Sequence, residues 1–340
     1  MKFHRPFVLV VLAFAGLLCP AAWSDVPTSS ATGSSAPKVA IKVAAILPGV
    51  VTDADYNTLA EIALLALEKS GGGRTARSES VPVPDYDRVA REYIDDGFRI
   101  LWAHGGQYIG QTLELAREFP EVSFLVETDA PLPKAPPNVW VLDRNFHLGF
   151  YALGVLASSV TKTGRIGYIG GLTLPFSYAE VHALRQALHD RRSRAELKAV
   201  WAGDFNDPAK ARQVADAMIA DGIDVIVASL NLGIYGVFES VKAAPRPILV
   251  TAKYTDKSNF APDRCVTSEL CDFTTPLAEV VRRIERGERG GYVSLQFGKG
   301  LSLRLPLKNV PPSVQEDVEK TISQIMTGQI TVRKDVSPAR

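Results

Sequence analysis

The stretch TGRIGYIGGLTLPFSYAEVHALRQAL, residues 163–188, has the pattern of a strand, a loop and a helix. Its apolar run at 165–169 ends at Gly170 and Gly171, and apolar residues then recur at helical spacing after a proline-containing loop. Such a glycine pair at the carboxyl end of a parallel strand either lets the backbone approach a ligand or forms a tight turn. The stretch does not match the dinucleotide fingerprint G-x-G-x-x-G. It therefore predicts the fold but no particular ligand or reaction.

Strand-like and helix-like segments alternate on both sides of this stretch. Alternation of this kind is typical of a parallel sheet covered by helices on both faces. The echo between DGFRI (96–100) and DGIDV (221–225) suggests two similar halves. The pattern therefore predicts an α/β protein with two doubly wound lobes, followed by a late hairpin at 287–305 and a terminal helix at 312–325.

Composition places the chain among soluble globular proteins. Its 340 residues are 46% hydrophobic and 22% charged, enough for a large core, and the length suggests two domains. The formal net charge of +1, without a basic stripe interleaved with aromatic residues, gives no reason to expect a nucleic-acid partner.

Residues 1–24 have the composition of a signal peptide, in which basic residues precede the apolar run 7–18. That run is too short to span a bilayer. Lipid attachment at Cys19 is an alternative, but the residues before it lack the small side chains that such a site carries. We expect a periplasmic protein cleaved near Ser24, with a disordered linker at 25–37.

Cys265 and Cys271 are the thiols that remain after such cleavage, and an oxidising compartment favours their pairing. Six residues of extended chain span roughly 20 Å, whereas a disulfide needs Cα atoms within about 7 Å. A bridge therefore requires a turn between them. No Cys or His cluster has metal-ligand spacing, so we predict neither a metal nor a cofactor.

Motifs of hydrolases, zinc proteases and phosphate-binding loops are absent, which favours a binding protein over an enzyme. His104 ends the predicted strand 98–103, and Gly105 follows it directly. Since ligands bind at this edge of parallel sheets, His104 is either a ligand contact or a structural histidine with satisfied hydrogen bonds.

Several motifs follow one another in order along the chain. They are GVVTDADYN (49–57), FPEVSF (119–124), TKTGRIGYIGG (161–171), WAGDFNDPAK (201–210) and APDRCVTS (261–268). Together they resemble the basic membrane protein family of ABC-transporter solute-binding proteins. The third and fourth motifs at this spacing carry most of the resemblance.

The resemblance implies two Rossmann-like lobes in a type I periplasmic-binding-protein clamshell. We expect the first lobe to comprise 38–145 plus about 252–275, and the second 146–251 plus about 276–340, with a hinge near 144–148.

The same resemblance implies a solute-binding protein that captures a purine base, nucleoside or similar flat heterocycle and delivers it to an ABC permease. The family's nucleoside-binding branch has ligand contacts at positions that match Asp53, Tyr56 and Asn57, and its base-binding branch agrees on the first two. Both branches share an aspartate that matches Asp256. Without the resemblance, the sequence of residues 53–57 indicates a turn with an aspartate helix cap and a half-buried tyrosine.

Other positions carry the resemblance less directly. An aromatic residue of the family matches Phe205, which is either a ligand contact or a core residue. The same alternative holds for Phe176. Tyr254 and Cys271 stand where the nucleoside branch has ribose contacts, so ribose recognition is in question. The candidate ligand-binding residues are Asp53, Tyr56, Asn57, His104, Gly105, Gly171, Phe176, Phe205, Asn231 and Asp256.

An alternative reading of the same fold is an exported sensing module that presents a non-purine ligand to a membrane receptor.

Overall fold

The computed structural model describes residues 41–339, in which strands and helices alternate as the sequence predicts. The predicted signal peptide and linker, with Cys19, lie outside the described residues. The strands are β1 (Lys42–Ile46), β2 (Arg74–Ser78), β3 (Ile100–Ala103), β4 (Ser123–Thr128), β5 (Val139–Arg144), β6 (Arg165–Gly170), β7 (Glu196–Trp201), β8 (Val225–Ser229), β9 (Leu249–Tyr254), β10 (Cys265–Cys271), β11 (Gly291–Phe297) and β12 (Gly300–Leu303). The helices are α1 (Tyr56–Lys69), α2 (Tyr86–Asp95), α3 (Ile109–Glu118), α4 (Phe146–Val160), α5 (Pro175–Asp190), α6 (Pro208–Ala220), α7 (Ile234–Ala243), α8 (Thr274–Glu285) and α9 (Pro312–Met326).

The sheet repeats one strand order in its two halves. The first half pairs in parallel as β2-β1-β3-β4-β5, and the second as β7-β6-β8-β9-β10. This is the order of a doubly wound sheet of the flavodoxin type. The predicted α/β class with two Rossmann-like halves is confirmed.

Strands β11 and β12 meet at the tight turn of the predicted hairpin, where Gln296 and Lys299 exchange backbone hydrogen bonds, but beyond the turn they pair with different strands. β11 pairs in parallel with β5, whereas β12 pairs antiparallel with β10. Gln296 and Phe297 also pair with Gly300 and Leu301, so one continuous ladder joins halves that we expected to form separate sheets. Alternating residues indicate strands but do not show which edges the strands join.

Strands β9 and β10 belong to the second half of the sheet. The end of β9 and all of β10 lie within the range expected for the first lobe, yet the two strands pair with each other beside β8 in the second half. The next element, α8, packs on α1 of the first half. Backbone pairing of β9 with β10 keeps both in one half, so the crossing follows β10. The division into lobes and the hinge near 144–148 stay predictions.

The sequence analysis did not assign β2, β10 or α8. β2 (RTARS) is a polar edge strand without an apolar run, whereas α8 buries Leu277, Val280 and Val281 at helical spacing, a signal that the sequence does carry. Cys265 and Cys271 stand at opposite ends of β10 as buried free thiols. The extended strand holds them apart, because no turn intervenes.

Helix α4 is the most apolar of the described helices and is buried along most of its length. It packs against α5 and α9 beside the second half of the sheet. Between residues 41 and 339, no helix combines the length and apolar character needed to cross a membrane.

Candidate functional site

A cavity of about 700 Å³ lies at the carboxyl ends of strands from both halves of the sheet. The loops after β1 and β3 line it from the first half, and the loops after β6 and β8 line it from the second. In each half these two strands flank the point where strand order reverses, which is where open α/β sheets bind ligands. Residues from these loops and the helix starts beyond them include Gly49, Asn57, Gly105, Leu174, Phe176 and Asn231.

The structure divides the predicted site residues into two groups. Those that line the cavity are Tyr56, Asn57, Gly105, Phe176, Phe205 and Asn231. Those that do not line it are Asp53, His104, Gly171 and Asp256.

Tyr56 begins α1 and is held from two sides. Its ring stacks on the His104 imidazole, with centroids 3.9 Å apart and planes 21° apart. Its hydroxyl donates to Glu127 Oε2 at 2.5 Å and accepts from Arg144 Nη1 at 3.0 Å. One face of the Tyr56 ring is therefore covered by protein, and the ring is fixed in position at the cavity wall.

His104 supports Tyr56 from behind the cavity. It is fully buried, and its two ring nitrogens lie 2.6 Å from Glu127 Oε1 and 3.0 Å from the Tyr56 carbonyl oxygen. Both ring nitrogens are thus engaged by protein atoms. Of the two readings of His104, the structure favours the structural one.

The Glu127 carboxylate connects these groups. It also accepts from Trp102 Nε1 at 2.9 Å and lies 3.5 Å from Arg144 Nη1. Burial alone raises the pKa of Glu127, but His104, Arg144 and the Tyr56 hydroxyl bring it below its usual range. Glu127 is thus a buried carboxylate that positions residues of the wall.

Asp53 caps the start of α1 rather than facing the cavity. Its oxygens accept from the backbone nitrogens of Asp55, Asn57 and Thr58 and from the side chains of the last two. Although burial raises the pKa of Asp53, these hydrogen bonds hold it below its usual value. The helix-cap reading of this residue matches the structure.

Asp256 is an exposed residue of the loop after β9. It accepts from the Ser258 backbone at 2.9 Å and from Arg304 Nε at 3.2 Å. Because it does not line the cavity, its expected role as a ligand acceptor has no support from this geometry.

Phe176 and Phe205 form an aromatic wall on the second half. Their rings lie 6.0 Å apart and within 21° of parallel. A Cβ atom at Gly171 would come within 2.2 Å of the Phe205 ring, so this glycine makes room for the ring. The glycine pair of the opening stretch therefore serves side-chain packing. Gly170 accommodates Trp201 in the same way.

Sequence reasoning missed the charged pair of the cavity, Arg144 and Asp129. Arg144 ends β5, and Asp129 directly follows β4. Two parallel bonds join them, Nε to Oδ1 at 3.0 Å and Nη2 to Oδ2 at 2.5 Å. Their positions at the carboxyl ends of adjacent strands are a signal that could have identified them.

A second set of buried charges lies behind the aromatic wall. Lys253 donates to Glu180, and its Nζ lies 3.8 Å from the Phe146 ring centroid and 4.8 Å from that of Phe176. Burial raises the pKa of the nearby Glu269 carboxyl well above its usual range, and neither of its oxygens has a hydrogen-bond partner. None of these ionisable groups lines the cavity.

No group of three or more His, Cys, Asp or Glu side chains in residues 41–339 is placed to hold a metal ion. The lining includes aromatic rings, amides and the Arg144–Asp129 ion pair, together with aliphatic side chains such as Ile109, Leu132, Leu172 and Leu174. Such a set can bind a flat polar molecule through stacking and directional hydrogen bonds.

Comparison with known proteins gives a consistent set of relatives. Residues 40–334 match the model of the Bmp family, described as ABC transporter substrate-binding protein PnrA-like. A purine-binding protein of Brucella abortus (strain 2308) is 23% identical over 247 residues, which are 72% of this chain and 69% of that protein. Basic membrane protein A1 of Borrelia garinii subsp. bavariensis is 24% identical, over 86% of this chain and 88% of that protein.

Solved structures show the same fold. A solute-binding protein of an ABC transporter system from Conexibacter woesei has a TM-score of 0.70 and 24% identity, over 87% of this chain and 99% of that one. A solute-binding protein of an ABC transporter system from Aeropyrum pernix has a TM-score of 0.73 and 18% identity, over 87% and 94% of the two chains. At these identities the likeness concerns the fold alone.

Proposed function

We propose, on the premise that this chain belongs to the Bmp family of PnrA-like ABC transporter substrate-binding proteins, that its cavity captures a purine base or a similar flat heterocycle. Family membership implies a small-molecule ligand and a membrane permease as partner, and the family is one of binding proteins rather than enzymes. In such an importer the binding protein is exported and collects its solute outside the cytoplasmic membrane.

The observation that carries the proposal is the combination of aromatic and amide groups around one cavity. Tyr56 lines it from the first half, and Phe176 and Phe205 line it from the second. Aromatic faces stack on any π-system, at roughly 1 to 3 kcal/mol per base. Asn57 and Asn231 add amide groups, one from each half, that suit the polar edge of a heterocycle.

We further propose that the free base binds at least as well as its nucleoside. Ribose contacts in the family's nucleoside branch match Tyr254 and Cys271. Here Tyr254 lines the cavity as an aromatic side chain, while Cys271 is buried in β10 and does not line it. Neither residue offers a carboxylate or an ammonium group to ribose hydroxyls.

Isothermal calorimetry with adenine, guanine, hypoxanthine and their nucleosides tests both statements. We expect heat of binding with at least one free base, at an affinity no weaker than that of its nucleoside. Absence of heat with every ligand would reject the purine assignment. Clear preference for nucleosides would reject only the assignment of the free base.

Phe205→Ala tests stacking in the same assay. Loss of one stacked ring weakens base binding about tenfold to a hundredfold. Phe205 suits this test better than Tyr56, whose hydroxyl and ring also hold Glu127 and His104. Phe260→Ala is the matched control, because Phe260 is half exposed and lies outside the cavity. Equal affinities of the two variants would argue against a stacked ligand at Phe205.

A further inference from the structure

The Arg144 guanidinium reaches the cavity wall with hydrogen-bonding capacity to spare. Its Nε and Nη2 each donate to Asp129, and its Nη1 donates to the Tyr56 hydroxyl. Glu127 Oε2 lies 3.5 Å from the same Nη1. A guanidinium has five N–H donors. Within the described part of the chain, one N–H of Nη2 is therefore left without a protein acceptor.

Asp129 offers acceptor capacity beside that donor. Each of its oxygens accepts one bond from Arg144, whereas a carboxylate has about four lone-pair sites. Asp129 and Arg144 are only 8% and 6% exposed, and both line the cavity. A buried ion pair is stabilising only if its remaining hydrogen-bonding positions are filled. The pair thus presents an adjacent donor and acceptor to a ligand.

Two amide side chains add further acceptors. The Oδ1 atoms of Asn57 and Asn231 have no hydrogen-bond partner, although both residues are more than nine-tenths buried. The Asn57 amide nitrogen is already engaged, since it donates to Asp53 at 2.7 Å. Buried polar atoms normally have partners. A ligand with several N–H groups would satisfy these oxygens.

We propose that the Arg144–Asp129 pair recognises the lactam edge of the ligand, in which a ring N–H and a carbonyl oxygen lie side by side. This inference rests on the proposed function and narrows the purine class to 6-oxopurines such as hypoxanthine and guanine. The ring N–H donates to Asp129, and the carbonyl oxygen accepts from Arg144. In nucleic-acid recognition arginine likewise donates to the guanine O6 carbonyl, there together with N7.

The choice of a lactam over an amino-substituted edge follows from acceptor strength. A 6-aminopurine also has a donor next to an acceptor, but its acceptor is a ring nitrogen with a single lone pair. A carbonyl oxygen has two lone pairs and a larger partial negative charge. Because charge-assisted hydrogen bonds are the strong ones, a guanidinium donor favours the carbonyl.

A ligand series with the wild-type protein tests the proposal by calorimetry. Hypoxanthine has the full lactam edge, N1-methylhypoxanthine lacks its N–H, and unsubstituted purine lacks both the carbonyl and the adjacent N–H. We expect hypoxanthine to bind at least about tenfold more tightly than either. Equal affinities for all three would overturn the lactam inference while leaving purine binding intact. Absence of binding by every base tested would overturn the proposed function and this inference together.

Asp129→Asn provides a second test, through selectivity rather than affinity. Loss of the carboxylate should reduce the preference for hypoxanthine over purine to within about threefold. Asp216→Asn, on the exposed face of α6 beside Arg212, should keep the full preference. Equal weakening of both ligands by Asp129→Asn would assign Asp129 a structural role and contradict the proposal. If that variant does not fold, the wild-type ligand series decides by itself.

Discussion

His147 is a buried histidine in the first turn of α4 that the structure keeps uncharged. It is 4% exposed, and its Nδ1 has no hydrogen-bond partner. The side chain does form a hydrogen bond with the Val332 backbone. Burial, together with the nearby Lys334 charge, lowers the pKa of His147 to about 4. The unfolded chain has a histidine pKa near 6.5, so folding excludes a proton that the unfolded state binds.

The expected result is acid-dependent destabilisation traceable to His147. The stability associated with an uncharged His147 is fully present above about pH 6.5. It is lost as the pH falls toward about 4, at roughly 1.4 kcal/mol of unfolding free energy per pH unit. Urea unfolding across this range should therefore show a steeper loss for the wild type than for His147→Gln. His189→Gln is the control, because that side chain is 88% exposed. An identical pH slope in the wild type and His147→Gln would contradict this reading.

At the scale of elements, the contact between α4 and α5 depends on a glycine. A Cβ atom at Gly154 would lie 2.7 Å from the Ala187 Cβ and 3.2 Å from the Leu184 carbonyl oxygen. The two helices thus approach more closely than a larger residue allows. Their position matters for the cavity, because α5 begins with Pro175 and Phe176 at its wall.

Gly154→Ala should therefore destabilise the protein, by about 1 to 3 kcal/mol, even though alanine favours a helix. Gly110→Ala is the matched control in α3, where a Cβ atom meets nothing within 4 Å. This control should leave stability unchanged or raise it by about 1 kcal/mol. Denaturant midpoints of both variants provide the measurement, and a neutral Gly154→Ala would mean that the helices can separate at little cost.

At the scale of the whole molecule, a buried ion pair joins the two halves of the sheet. Lys257, in the loop after β9, donates to Asp55, which precedes α1 in the first half. Both side chains are almost completely buried, and Thr255 adds a hydrogen bond to the Ala54 carbonyl at 3.1 Å. The contact lies beside the β1 loop that lines the cavity, so it joins the halves next to the cavity.

Lys257→Met should cost about 3 to 5 kcal/mol of unfolding free energy, because it leaves a buried carboxylate without its cation. The double variant Asp55→Asn with Lys257→Met removes both charges and should recover a large part of that loss. Urea unfolding of the single and double variants gives the coupling between the two positions. Strictly additive losses would show that the two side chains do not stabilise each other.

Local features of the sequence determined the fold class and the neighbourhood of the site. Alternating apolar runs and helical periodicities predicted the α/β class, and ordered motifs pointed to the family that the chain matches. Tyr56 and Asn57 matched ligand-contact positions of that family, and Gly105 followed the end of a predicted parallel strand, where ligands bind; all three line the cavity. Such inferences succeed because periodicity and strand ends are properties of short segments.

Only the tertiary structure decided which polar groups face the cavity. Asp53 and Asp129 both follow strands, yet the first turns inward to cap α1 and the second pairs with Arg144 at the wall. The destination of β11 and the crossing after β10 were likewise invisible in the sequence. Each of these features depends on contacts between residues far apart in the chain. The hydrogen bonds that decide between the alternatives form only once the sheet has assembled.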